Sequence, residues 1–535
     1  MEAGAAVLDD SRLEDELESL ELAEGETARS GQRAVMIALA GIVVAGAALR
    51  FSTLGVQSYH HDEIITVARV IPAGLGHTLH EVNVSESTPP LYYLLAWVWA
   101  RIFGVSEVGM RSLSAIFGLV LIPLAYLIGK ELHRQRTGLI LAALVAVNPM
   151  LIWYSQEARA YSLMVLLSAA GLYFFIRALR THSRSDLAGW AICSVLALYS
   201  HYFSVFPALI EVLWLLSVPG IRRRVLTSVG AFALFGLAMA PLALSQASHS
   251  ANIDWFSNVA LPTRIVNTGV TFMVGETGHI IAQPQKSALA ILPALLVIAS
   301  VVLVVVRGGA SQRRIGLVLG TVVAGTILIP ILGALLGKDY VIERNLMAGL
   351  VPLLAIVAVG SSLERARKLG LVLAALLVIG WGAFAIHVVT SPGLQRPNWS
   401  GVAKGMGTST VPRATVTWDI GMDPLIFYLG DGGKTTKARY VTAEKLDVVT
   451  TGGVHPSPGR IPFPFTPDGV KREGNLAIYS YSSPVPVQFS GKRLRKMDTG
   501  FDTNGLYMDG PQAVSIPANP GPGRAPAGDT SARTE

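Results

Sequence analysis

Cysteine is nearly absent: Cys193 is the single one in 535 residues. That excludes an internal disulfide and argues against a thiolate-held metal site. Charge is scarce as well. Asp, Glu, Lys and Arg make up 15% of the chain, against about 25% in a soluble domain. A basic opening segment is also missing, because the first thirty residues carry Asp9, Asp10, Glu14, Asp15, Glu16, Glu18, Glu21, Glu24 and Glu26. No cleavable signal is expected there, and residues 1–33 read as a disordered acidic cytoplasmic tail. What the chain has in abundance is apolar sequence, 51% of all residues, with a mean hydropathy of +0.49. Runs of about 20 apolar residues, each long enough to cross a bilayer, recur along most of its length. This composition describes a polytopic membrane protein. The net charge of +7 therefore speaks first for orientation in the lipid bilayer, and no nucleic-acid partner is expected.

Eleven apolar segments stand out, at about 34–54, 109–130, 137–153, 160–179, 187–202, 203–218, 225–245, 287–306, 315–336, 343–362 and 369–390. Every second loop between them is basic: Lys130/Arg134/Arg136, Arg177/Arg180/Arg184, Arg222/Arg223/Arg224, Arg307/Arg313/Arg314 and Arg365/Arg367/Lys368. The positive-inside rule puts those loops in the cytoplasm, with the N-terminus inside and the C-terminus outside. Leu91–Phe103 is apolar but only 13 residues long, and counting it as a span would invert all five basic loops. It reads as an interfacial helix in a long first outer loop, 55–108, with a second short amphipathic helix at 62–71. After Thr390 turn signals and short strand-like runs (Ala414–Trp418, Leu476–Tyr481, Val485–Phe489) take over. Residues 391–510 are expected to form a small extracytoplasmic α/β domain, and the Pro/Gly/Ala-rich 511–535 a disordered tail.

Polar groups at membrane depth are costly, about 2.5–3.5 kcal/mol for a charge at a helix centre. The topology assigns four polar clusters to the outer face: His60-His61-Asp62-Glu63; Gln156-Glu157-Ala158-Arg159-Ala160-Tyr161; Tyr199-Ser200-His201-Tyr202; and Lys338-Asp339-Tyr340 with Glu343-Arg344-Asn345. Each also has a plainer reading. Asp62-Glu63 suits the first turn of an interfacial helix, where carboxylates complement the dipole. Glu157 and Arg159 suit an interfacial ion pair, His201 and Tyr202 an aromatic-belt anchor, and Arg344 a snorkelling anchor. His60 and His61 do not share a helix face and no third ligand has a fitting spacing, so neither a metal nor a cofactor is expected.

The series His61-Asp62-Glu63, Pro89-Pro90-Leu91-Tyr92-Tyr93-Leu94-Leu95, Trp153–Tyr161 (WYSQEARAY) and Leu198–Phe203 (LYSHYF) resembles bacterial membrane glycosyltransferases. The group is that of the protein O-mannosyltransferases and aminoarabinose transferases (glycosyltransferase family 39-like), with the fold called GT-C. Arg344–Pro352 (RNLMAGLVP) is similar to the group's late span start, and Arg396-Pro397-Asn398-Trp399 to the opening of its extracytoplasmic region. Two positions depart from the pattern: Thr88 where His often precedes the Pro-Pro pair, and Arg344-Asn345 where Arg-Tyr is common. The resemblance implies an all-α polytopic membrane protein of GT-C type, with about eleven transmembrane helices and a catalytic domain over 34–390. It implies a polyprenyl-phosphate sugar donor, with mannose the family's most frequent sugar, and transfer to a hydroxyl acceptor (glycan, lipid or protein) on the outer face. It also implies an acidic base in the first outer loop, here Asp62 with Glu63 beside it, and a second acidic position in the next outer loop, here Glu157.

The chemistry fits these residue types. A hydroxyl is a poor nucleophile, and a carboxylate taking its proton contributes about 10²–10⁴-fold. The phosphate leaves as an anion and needs cations, for which Arg159, Lys338 and Arg344 are the candidates. His61, Tyr161, His201 and Tyr202 would orient donor or acceptor, and a one-step displacement inverts the anomeric carbon. A transporter or lipid flippase is the alternative, but transporters favour paired halves meeting at mid-membrane, and here the polar clusters share one face.

Overall fold

The structure is a computed structural model that describes residues 30–220, 222–248, 259–277, 283–430, 433–500, 504–511 and 515–516. The tails expected at 1–33 and 511–535 lie almost wholly outside the described residues. The described chain divides into two compact units. One takes in residues up to Val56 and Ile65–Gln395; the other takes in Gln57–Ile64 and residues from Arg396 onward.

The first unit is helical, and the chain is a multi-pass membrane protein. Among the described residues eight helices are long and apolar enough to cross a bilayer: Ser30–Phe51, Glu107–Leu132, Tyr161–Thr181, Arg222–Ala247, Gln285–Arg307, Ala310–Leu335, Glu343–Ser361 and Glu364–Thr390. The segment expected at 137–153 is two helices, Gln135–Val147 and Pro149–Ser155, bent by 58°. Sequence explains the break. Pro149 has no N–H to donate, and Asn148 caps the new helix by accepting from the Leu151 N–H at 3.1 Å. Across the break, the buried Arg50 donates to the terminal carbonyls of the first half, Val145 (3.0 Å) and Ala146 (2.8 Å). A cation there satisfies orphaned acceptors at the negative end of the helix. The remaining two segments are shorter helices, Arg184–Ser200 and Tyr202–Leu216.

Leu91–Phe103 is a helix with Leu95, Val98, Ile102 and Phe103 exposed on one side and Tyr92, Tyr93 and Ala96 buried on the other. It stops at Gly104, whose φ of 76° only glycine adopts easily. The single helix expected at 62–71 is instead a four-residue turn, His61–Ile64, followed by a π-helical turn, Ile65–Val70, and a further helix follows at Leu75–Ser85. Buried apolar side chains such as Leu144, Val145, Met164, Leu350 and Leu354 form a continuous core through the helical unit. Gly118 marks one close approach: a Cβ there would meet the Ser155 Oγ at 2.0 Å and the Arg50 Nε at 3.0 Å.

The second unit carries a seven-stranded sheet. Its strands are β1 (Arg413–Trp418), β2 (Lys434–Thr435), β3 (Tyr440–Thr451), β4 (Thr466–Glu473), β5 (Leu476–Ser490), β6 (Asn504–Asp509) and β7 (Ser515–Ile516). Their order is β2-β6-β1-β3-β5-β4, with β7 paired to β3. β1 runs parallel to β3, Thr415 opposite Asp447, and antiparallel to β6. The two runs expected at 476–481 and 485–489 are one strand, β5. Its register against β3 shifts between Ala443 and Lys445, opposite Ser482–Val487. Pro484 and Pro486 fall in that interval, where a bulge relieves proline of a ladder hydrogen bond. The helices Trp399–Met406 and Asp419–Leu429 belong to the same unit, and Trp399, Val402 and Leu425 pack with Val449 and Ile478 of the sheet.

Candidate active site

The expected site residues fall in two groups. His61, Asp62 and Glu63 belong to the unit that holds the C-terminal sheet; Glu157, Arg159, Tyr161, His201, Tyr202, Lys338 and Arg344 belong to the helical unit.

In the first group the turn His61–Ile64 separates the two acids. Glu63 is fully buried, and its Oε2 accepts from the His60 N–H at 3.0 Å. This is the return half of a capping box, satisfying a donor the short helix would leave open. Asp62, one position earlier, stays half-buried. Adjacent helical residues point about 100° apart, so one carboxylate turns in and the other does not. Burial outweighs the attraction of Asp62 and, with Arg396 nearby, pushes the His60 imidazole down to about 4. His60 is thus neutral at pH 7. His61 Nδ1 lies 3.4 Å from the Asp423 carboxylate.

In the second group, residues 156–160 form an irregular turn between the helices Pro149–Ser155 and Tyr161–Thr181. Gln156 ties that turn down by donating to the carbonyls of Leu49 and Arg50, each at 3.1 Å, and to Thr53 Oγ1 at 2.8 Å. Arg159 makes a two-pronged ion pair with Glu86, at 2.6 and 2.8 Å, and also reaches Thr66 Oγ1 at 3.2 Å. Both partners are buried. The guanidinium lies 5.8 Å from the Tyr93 ring centre. Arg159 therefore pairs with Glu86 through its fork; its own neighbour Glu157 is also buried. Tyr161 is the aromatic hub of this group. Its ring meets Tyr154 at 4.9 Å and His201 at 5.5 Å, and the Arg344 guanidinium lies over it at 5.8 Å. His201 is buried, and its Nδ1 accepts from the Phe203 N–H at 3.4 Å. In the neutral ring that puts the hydrogen on Nε2 and makes Nε2 the donor.

Two expected residues have other surroundings. The Tyr202 hydroxyl donates to Gln246 Oε1 at 2.8 Å, while the Gln246 amide donates to the carbonyls of Val82 and Thr88. Tyr202 thus braces the segment before Pro89-Pro90. Lys338 is exposed, and its neighbour Asp339 is held by both prongs of Arg264, which keeps that carboxyl below the usual range. Sequence reasoning missed Glu86, Arg264, and the ion pair of Glu276 with Lys286 at 3.1 Å. Glu86 stood three residues before the Pro-Pro pair, and its proximity to a motif was the signal. The Glu276–Lys286 pair had no such neighbour. Among the described residues no group of three His, Cys, Asp or Glu side chains is arranged to hold a metal ion.

Residues 87–245 match the family described as dolichyl-phosphate-mannose-protein mannosyltransferase. No curated protein matches. Among solved structures the chain is similar to the oligosaccharyltransferase AglB from Archaeoglobus fulgidus, in complex with an inhibitory peptide and a dolichol-phosphate. That likeness has 13% identity and a TM-score of 0.43, and covers 70% of this chain and 58% of AglB. The chain thus spans little more than half of that protein's length. It is also similar to ArnT from Cupriavidus metallidurans bound to undecaprenyl phosphate, with 11% identity, a TM-score of 0.46, and 82% and 97% of the two chains covered. The Pmt1-Pmt2 complex of S. cerevisiae bound to the sugar donor shares 17% identity, with a TM-score of 0.31 and 42% and 35% covered. All three scores are below 0.5, so the sequence match at 87–245 is the finding that bears on the family. On that ground residues 87–245 are similar to that family of membrane mannosyltransferases.

Proposed function

We propose that the protein transfers a monosaccharide from a polyprenyl-phosphate donor to a hydroxyl acceptor on the outer face of the membrane, with inversion. The observation that carries this reading is the division of labour at Asp62-Glu63. Glu63 is buried and spent on the His60 amide, while Asp62 remains half-buried. Asp62 is the base: partial burial raises a carboxylate's basicity while leaving the acceptor a way in. As the acceptor oxygen bonds to the sugar's anomeric carbon, its proton passes to Asp62 and the bond to phosphate breaks.

The leaving phosphate needs a cation. Arg344, whose guanidinium lies 5.8 Å from the centre of the Tyr161 ring beside His201, is the group assigned to it, and the His201 Nε2–H supplies a neutral donor. Arg159 keeps its place through Glu86 and holds the 156–160 turn that presents Glu157. Mannose is the sugar suggested by the family matched at 87–245. The test is to incubate the purified protein with a panel of polyprenyl-phosphate sugars and follow release of polyprenyl phosphate. Release with none of them, at any hydroxyl acceptor supplied, would end the reading.

The orientation proposed is N-terminus inside and C-terminal domain outside, from the five basic loops. In a Cys193→Ser background, a cysteine at exposed position 75 should react with an impermeant thiol reagent from outside, and one at exposed position 223 should not. Labelling at 223 from outside would reverse the topology.

A further inference from the structure

Residues 57–64 are separated in sequence from the C-terminal domain by more than three hundred positions, yet they fold with it. Gln57, Ser58, Tyr59 and His61, on the approach to Asp62, all meet that domain. Gln57 Oε1 accepts from the backbone N–H and the guanidinium of Arg396, both at 3.3 Å. Ser58 Oγ donates to Asn398 Oδ1 at 3.2 Å and accepts from the Ser400 N–H at 2.9 Å. The Tyr59 N–H donates to the Tyr428 hydroxyl at 2.7 Å, and the buried Tyr59 ring stands edge-on to Phe427 at 5.9 Å. His61 pairs with Asp423 at 3.4 Å. Asp423, Phe427 and Tyr428 all come from one helix, Asp419–Leu429, where positions four apart share a face.

A four-residue helix such as His61–Ile64 cannot stabilise itself, because nucleating one turn costs more than its single hydrogen bond returns. Its shape must come from its neighbours, and the neighbours named above all belong to the C-terminal domain. We propose that the helix Asp419–Leu429 is a positioning element for the reaction, with Asp423 and Tyr428 setting the orientation of the turn that carries Asp62. The C-terminal domain is then part of the catalytic apparatus. This rests on the reading of Asp62 as the base. The His61–Asp423 pair is partly exposed on both sides, so it contributes little to the stability of the whole chain. It does bring the side chain beside Asp62 against the helix Asp419–Leu429, and catalytic geometry is sensitive to displacements of about 1 Å.

The experiment uses the full-length protein and reads two quantities. One is turnover of the polyprenyl-phosphate sugars; the other is hydrogen exchange at the amides of residues 57–64. Asp423→Asn is expected to lower kcat by about 10-fold, with the donor KM and the melting temperature unchanged. Exchange at 60–63 should speed up. Asp423→Glu should recover most of the loss, and Tyr428→Phe should reproduce it in part. In the double variant Asp423→Asn/His61→Gln the loss should not exceed that of the worse single variant, since both act through one pair. Unchanged kcat in Asp423→Asn, with or without faster exchange, overturns the proposal, and so does additivity in the double variant. The assignment of the base fails by a different route: normal turnover in Asp62→Asn.

Discussion

Arginines in the two units can be compared by what holds them. In the C-terminal sheet, Arg413 of β1 is fully buried and surrounded by acceptors of its own domain. Its Nε donates to Asp509 at 2.9 and 3.1 Å, and its terminal nitrogens donate to the carbonyls of Met406 (3.1 Å) and Gly407 (3.0 Å) and again to Asp509. Asp447 stands 3.6 Å away, its carboxyl raised by burial. Such saturation serves folding. In the helical unit, Arg159 is held by the Glu86 carboxylate, and the half-buried Arg344 has its guanidinium 5.8 Å from the Tyr161 ring centre. A buried arginine is thus not in itself a site. Carboxylates and carbonyls of the same unit hold Arg413 in one region and Arg50, Arg159 and Arg264 in the other, while Arg344 also has an aromatic face near its guanidinium.

This contrast can be broken or sharpened by substitution, beginning with the largest effect. Arg413→Met leaves the buried Asp447 and Asp509 facing each other without their cation. Removing one partner of a buried pair costs about 3–5 kcal/mol, so thermal unfolding of the C-terminal domain should shift down strongly; an unchanged transition would show that Arg413 is not structural. Asp62→Asn keeps the shape of the side chain and removes the proton acceptor. Turnover should fall by about 10²-fold or more, while donor binding and unfolding temperature hold. Arg344→Ala should act chiefly on apparent donor affinity, by the 1.5–3 kcal/mol of a charged hydrogen bond, about 10–100-fold; unchanged kinetics in a folded protein would remove it from the donor site. Glu63→Gln should have the smallest effect. An amide oxygen still accepts from the His60 N–H, so the cap survives at a loss of about 1 kcal/mol, and kcat should fall far less than in Asp62→Asn. The reverse ranking of the two acids would make Glu63 the base.

The membrane body was legible because its signal is local. A run of 20 apolar residues and a basic loop need no partner to be recognised, and the helix at Leu91–Phe103 followed from its length and from Gly104. The break at Asn148-Pro149 was written in the chain but was passed over, because the apolar run continues through it. The four polar clusters were visible for the same reason: charge stands out against an apolar background. The partners of those charges were not visible. Glu86 meets Arg159 across 73 residues, and a separation of that size has no periodicity to betray it.

Composition and motif order by themselves determined that this chain crosses the membrane many times, which loops are basic, and which residue types could move a sugar. They also located β1 and, as two separate runs, β5 of the C-terminal sheet, but not β2, β3, β4, β6 or β7. Only tertiary structure decided which acid turns inward at Asp62-Glu63, which carboxylate takes Arg159, and that residues 57–64 fold with a domain that begins at Arg396. The reason is physical. Hydrophobic periodicity is set by the backbone's own repeat and can be read along the chain, whereas a buried polar group is satisfied by whatever the fold brings beside it.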